Sequence, residues 1–126
     1  TKYLFHIINV LLIIFYLYPG SIFGCFIYDD CIVQPQLTKE YYGDLISSNH
    51  LYVFAIFSTL GFIAYSQKKN FLLIIKYLFL LSIFLELLHL IVPNRGFEIK
   101  DLAGNILGVA ISLTLFLIIK LRKKNE

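Results

Sequence analysis

The chain reads as an all-α protein, a four-span transmembrane helical bundle, and three observations carry that expectation. First, 59% of the 126 residues are hydrophobic and the mean hydropathy is +0.78, where soluble domains are only about half apolar. Second, the apolar residues gather into stretches of the length that crosses a bilayer, about 20 residues each. Third, lysines and arginines sit at the ends of those stretches, which is how charge sets membrane topology. The formal charge of +3 therefore reads as topology, and no nucleic-acid partner is expected. The whole chain is one integral-membrane domain, 1–126, with no room for a separate soluble one.

Taken in order, span one covers Tyr3 to Tyr18 and is broken by Pro19-Gly20, a pair that ends or kinks a helix. It is expected to stay on the chain as a first span or signal anchor. The connection 25–48 is polar and acidic: Asp29, Asp30, Glu40 and Asp44 against Lys39, a net −3. A short interfacial helix is expected near Thr38 to Leu45. Span two covers Asn49 to Tyr65, with Ser47, Ser48 and Asn49 as N-cap candidates. Span three covers Phe71 to Val92 and stops at Pro93. Span four covers Asp101 to Ile119, followed by the basic tail Lys120 to Lys124. Tyr3, Tyr16, Tyr18, Tyr65 and Tyr77 lie near span ends, where an interfacial aromatic belt is expected. Lys2, Lys68, Lys69 and the basic tail fall on one side of an even four-span topology, which places both termini in the cytoplasm and loop 25–48 outside. Cys25 and Cys31 fall in that outer loop, where an oxidising compartment favours a disulfide.

Polar residues inside such a chain are costly, and by default they are candidates for function. Glu86 and His89 stand at i, i+3 near the end of span three. Asp101, Asn105, Gly108 and Ser112 stand at i, i+4, i+7 and i+11, on one stripe of span four. Arg95 lies in the turn between the two spans, and His50 opens span two on the same side. His50, Glu86, His89, Arg95, Asp101 and Asn105 are therefore the candidate ligand-binding residues. Arg95 offers a planar fork for phosphate or carboxylate, and the start of span four adds backbone donors. The structural alternative has Asp101 capping its own helix, Arg95 paired with Glu86 or Asp101, and Asn105 and Gly108 joining helices. Glu86-x-x-His89 also has the spacing used in helical carboxylate metal sites, with His50 and Asp101 as further donors. It occurs once, and no metal is expected. No Walker loop, nucleophile elbow or dinucleotide fingerprint is present, so no cofactor is expected and no catalytic residue is assigned.

The run Glu86-x-x-His89-x-x-Val92-Pro93-x-Arg95-x5-Asp101-x3-Asn105-x2-Gly108, together with His50-Leu-Tyr52-Val-Phe54, resembles the VanZ-like family of small multi-span bacterial envelope proteins. His89 stands where that pattern usually has glutamine, Ser112 where a glycine is common, and Ile46-Ser47 where an Asp-Lys pair is common. The resemblance implies a bacterial cytoplasmic membrane protein that contributes to glycopeptide (teicoplanin) tolerance. Its expected partners are membrane lipids, an anionic lipid-linked envelope precursor, or other membrane-protein subunits. Two alternatives stand beside it: a non-catalytic accessory subunit of a larger membrane complex, and a lipid-processing enzyme.

Overall fold

The computed structural model describes residues 1–35 and 45–125, the side chain of Lys68 excepted. Among the described residues there are five helices and no strand: α1 (Lys2–Leu17), α2 (Ile22–Tyr28), α3 (Ser48–Ala64), α4 (Lys68–Leu88) and α5 (Ile99–Asn125). The expected interfacial helix near Thr38 to Leu45 lies, up to residue 44, outside the described residues.

Length and composition qualify two helices as membrane spans, Lys69–Leu88 and Ile99–Asn125. A third is added if α1 and α2, bent by 74° at their junction, count as one broken span. The fourth expected span, α3, has only 17 residues, so the four-span count does not follow from helix length alone.

The boundaries have local causes. Leu17 ends α1 ahead of Pro19-Gly20, and Gly20 takes the left-handed φ of +93° that glycine tolerates. Ser21 then caps α2, its hydroxyl accepting from the Gly24 N–H at 3.0 Å. This short helix escaped the sequence reading because about two turns beyond a break carry too little periodicity to register. Asp29, at φ 53°, ends it in the left-handed conformation, and a Cys25–Cys31 disulfide closes the following turn. Helix α4 stops at Leu88, one turn short of the expected Val92. The last residues before Pro93 form turns instead, as the clash ahead of a proline favours. The basic tail extends α5 past Ile119 as helix.

Helices α1 and α4 run parallel to each other and antiparallel to α3 and α5. The closest pairing is α3 with α5, and glycine makes it possible. A Cβ on Gly108 would lie 2.5 Å from the Leu51 carbonyl oxygen, and one on Gly104 would lie 2.6 Å from that of Ser47. Gly104, Gly108 and Ser112 recur every four residues, the small-residue stripe by which membrane helices approach closely. Ser112 also meets Thr59 at 2.7 Å. The core between the helices is aromatic and aliphatic: Phe5 stacks on Phe57 at 5.1 Å, with Phe54, Phe62, Leu78, Leu85 and Val109 fully buried. The outer faces are apolar too, with Ile7, Val10, Leu72, Leu73, Leu80 and Leu115 exposed, as a hydrocarbon surround requires and water would penalise. Lys76, exposed two turns into α4, has a stem long enough to carry its charge towards the basic end.

Candidate functional site

Where α1 ends, α3 and α5 begin and α4 finishes, the bundle buries a polar network. Its centre is Tyr16, 8% exposed. The Tyr16 hydroxyl lies 2.5 Å from His50 Nδ1, 3.1 Å from Glu86 Oε2 and 2.6 Å from Asn105 Nδ2. Asn105 Nδ2 also donates to the Ser82 carbonyl at 3.1 Å. On its far side His50 Nε2 faces Asp101 Oδ2 at 3.4 Å. A carboxylate, an imidazole and a hydroxyl are thus aligned across three helices. The Tyr16 ring is itself clamped, stacked on His89 at 4.8 Å and edge-on to His50 at 5.2 Å.

Glu86 is fully buried. Its Oε1 faces His89 Nδ1 at 3.3 Å and accepts the Glu98 backbone N–H at 3.2 Å. His89 Nε2 reaches the backbone carbonyl of Tyr16 at 2.9 Å. That carbonyl is one of the last four of α1, which have no partner within their own helix. Arg95 serves the same helix end: Nε donates to the Tyr18 carbonyl at 3.3 Å and Nη2 to that of Phe15 at 3.5 Å. Helix α1 has no basic residue in its last turn, so the side chains of His89 and Arg95, beyond the end of α4, cap it from outside.

Arg95 departs from the expectation of a carboxylate partner. Among the described residues no carboxylate lies within 4.0 Å of its guanidinium, and the expected pairing with Glu86 or Asp101 is not formed. The two helix-end carbonyls hold it instead. Half-burial pulls Arg95 below its ordinary value, against the nearby negative charges of Asp101 and Glu86. A guanidinium keeps its proton regardless. Arg95 borders a cavity of about 390 Å³ that is open on one side. Leu12, Phe15, Ile22, Phe23, Ile27 and Val53 form apolar walls, and Tyr16, His50 and His89 line its polar floor. Gln34 and Pro35, just beyond the disulfide-closed turn, supply part of the wall, and Asn49, bonded to the Pro35 carbonyl at 2.7 Å, ties them to α3.

Five of the six expected site residues, His50, Glu86, His89, Asp101 and Asn105, join one network, and the sixth, Arg95, stands at the cavity beside it. His50, Glu86 and Asp101 bring one donor atom each within 4.8 Å of the others. His50, however, turns its two nitrogens to different carboxylates, so a shared ion would have to break one of those contacts. The residue that sequence reasoning assigned elsewhere is Tyr16, expected in the interfacial belt and found at the network's centre. Its signal was spacing: Phe5, Asn9, Leu12 and Tyr16 form one stripe of α1, and Phe5, Leu12 and Tyr16 are buried. Tyr65 and Tyr77 likewise bond side chains of α1, His6 at 2.7 Å and Asn9 at 2.5 Å.

The match to known proteins covers all of these elements. The VanZ/LLP1 family model matches residues 3–120. The chain belongs to the VanZ/LLP1 family. Membership together with the apolar helices makes it a membrane protein. No curated protein and no solved structure matches it, so what the site does must be argued from its geometry.

Proposed function

We propose that this VanZ/LLP1 protein is a multi-pass protein of the bacterial cytoplasmic membrane that recognises an anionic lipid headgroup or lipid-linked cell-wall precursor. Through that ligand it contributes to teicoplanin tolerance. One observation carries the proposal: Arg95 borders an apolar-walled cavity with no acidic partner among the described residues. A charge left unpaired beside such walls suits an amphiphile, with the headgroup on the guanidinium and the chain along Leu12, Phe15, Phe23 and Val53.

The proposed topology has four spans with both termini cytoplasmic. Helix α3, about 26 Å long at 1.5 Å per residue, runs the length of α5 from Gly104 to Ser112 and nearly matches a hydrocarbon core of about 30 Å. Lys2 over the Tyr65 ring and Lys120 on the Ser66 carbonyl gather at one end of the bundle. Arg95, Asp101 and the cavity lie at the other, the proposed outer end. Labelling of a cysteine introduced at Lys69 by an impermeant reagent in whole cells would refute this orientation.

The test of recognition is Arg95→Lys, which keeps the charge and loses the fork. We expect weaker retention of phosphatidylglycerol or undecaprenyl phosphate by the purified protein and poorer survival in teicoplanin, at unchanged membrane abundance. Unchanged lipid retention would sink the proposal. The alignment Asp101–His50–Tyr16, at 3.4 and 2.5 Å, supports a second reading, a lipid-processing enzyme in which a base prepares a hydroxyl. Turnover of the bound lipid by wild type but not by Tyr16→Phe would favour it.

A further inference from the structure

The hydrogen-bond inventory around Glu86 assigns a role to His89 that its position on the cavity floor does not by itself reveal. Glu86 is fully buried in an apolar bundle, where an ionised carboxylate needs a counter-charge. Arg95 does not provide it by contact, because its guanidinium is held by the Phe15 and Tyr18 carbonyls. His89 Nδ1 is the nearest ring nitrogen to Glu86, while His50 Nδ1 stands farther off, 3.9 Å from Oε2, and is taken up by the Tyr16 hydroxyl. His89 Nε2 lies 2.9 Å from the Tyr16 carbonyl, and a carbonyl can only accept, so Nε2 carries a proton. Its Nδ1 lies 3.3 Å from Glu86 Oε1. A bare Nδ1 there would set two acceptors against each other, so a second proton must lie between them. Oε1 already takes the Glu98 N–H at 3.2 Å and Oε2 the Tyr16 hydroxyl at 3.1 Å, and a donor on each oxygen favours the carboxylate. The second proton therefore belongs to His89.

We infer that His89 is an imidazolium that neutralises Glu86 internally and so leaves the charge of Arg95 for the cavity's anionic ligand. His89 is a positioning residue here: it acts through Glu86 on Arg95 and need not touch the headgroup. This inference rests on the anionic-lipid reading of the cavity for its functional consequence, but its core, the charge state of His89, does not.

Two measurements test it separately. Protein with ¹⁵N-labelled histidine, in nanodiscs of phosphatidylcholine at neutral pH, should show protonated Nδ1 and Nε2 at His89, identified by the signals lost in His89→Gln. A bare Nδ1 overturns the inference whatever the lipid experiments show. Lipid selectivity is then read as retention of phosphatidylglycerol against phosphatidylcholine. His89→Gln leaves Glu86 without its counter-ion, and Arg95 is drawn to it. Selectivity should fall about tenfold, the scale of one partly screened charge contact. The Glu86→Gln/His89→Gln double variant removes both charges and should restore it. A double variant as unselective as the single one overturns the charge-release role, because His89 would then matter only as packing. Absence of selectivity in the wild type sinks the anionic-lipid reading itself, and the NMR result still decides the charge state of His89.

Discussion

The two ends of this bundle are built from the same residue types and do different things with them. At the basic end His6 bonds Tyr65 at 2.7 Å, Lys2 covers the Tyr65 ring at 5.3 Å, and Lys120 sits over Phe71 and Phe116 at 5.0 and 5.8 Å. At the other end His50 bonds Tyr16 at 2.5 Å. The first histidine–tyrosine pair is exposed and, among the described residues, has no carboxylate in contact. The second is enclosed, with Glu86, Asp101, Asn105 and His89 around it. At the exposed end water can replace any lost partner, so the contacts there orient helix ends. At the enclosed end every donor needs an acceptor inside the protein. Breaking one contact there therefore exposes the cost of all the others.

That contrast can be broken most sharply at Glu86. Glu86→Ala removes the acceptor of the Glu98 N–H and the counter-charge of His89. It should destabilise the protein by about 3–5 kcal/mol, the cost of leaving a buried ion unpaired, measured by chemical unfolding in lipid or detergent. The matching change at the other end, His6→Ala, should cost no more than about 0.5 kcal/mol, as for a surface substitution; a similar loss at both ends would erase the distinction. Next comes the helix contact that positions the network. Gly108→Ala forces a methyl against the Leu51 carbonyl and the Ala55 N–H and should cost about 1–3 kcal/mol through overpacking. Gly96→Ala, with nothing within 4 Å, serves as its control.

Tyr16→Phe sharpens the comparison at the level of one hydroxyl. It takes one buried partner each from Asn105, His50 and Glu86 and should cost about 1–3 kcal/mol, whereas Tyr65→Phe at the wet end should cost about 0.5–1.5 kcal/mol. Smallest among the changes at the cavity end is Arg95→Leu. Expected as the breaking of a buried ion pair, it would cost about 3–5 kcal/mol. With carbonyl bonds as its contacts among the described residues, the loss should be only about 0.5–1.5 kcal/mol, so stability should barely move while lipid selectivity drops. A stability loss of the larger size would show that Arg95 does balance a carboxylate in the membrane.

Much of this arrangement was readable along the chain. Four apolar stretches became the four long helices to within about a turn at most ends, because burial in hydrocarbon forces long apolar runs into helix. The stripe Asp101, Asn105, Gly108, Ser112 faces α3 as its spacing required, since the helical repeat alone decides which residues share a face. The chain's two cysteines offered a disulfide that the sequence left open and the structure forms. By contrast, α2 was hidden, because its seven residues after Pro19-Gly20 leave too little periodicity to read.

What sequence determined by itself, then, is what depends on composition and local repeat: an all-helical membrane protein, the approximate limits of its helices and the polar stripe of α5. What only the tertiary structure decided is who meets whom. Tyr16 looked like a belt tyrosine, and it became the centre of a buried network when α1 turned its Phe5–Asn9–Leu12–Tyr16 stripe inward. Arg95 read as a fork for an anionic headgroup or, alternatively, as the partner of Glu86 or Asp101, and it caps α1 because that helix ends with bare carbonyls beside it while His89 already occupies Glu86. These choices turn on distances of a few tenths of an ångström between helices far apart in the chain, and no local pattern encodes them.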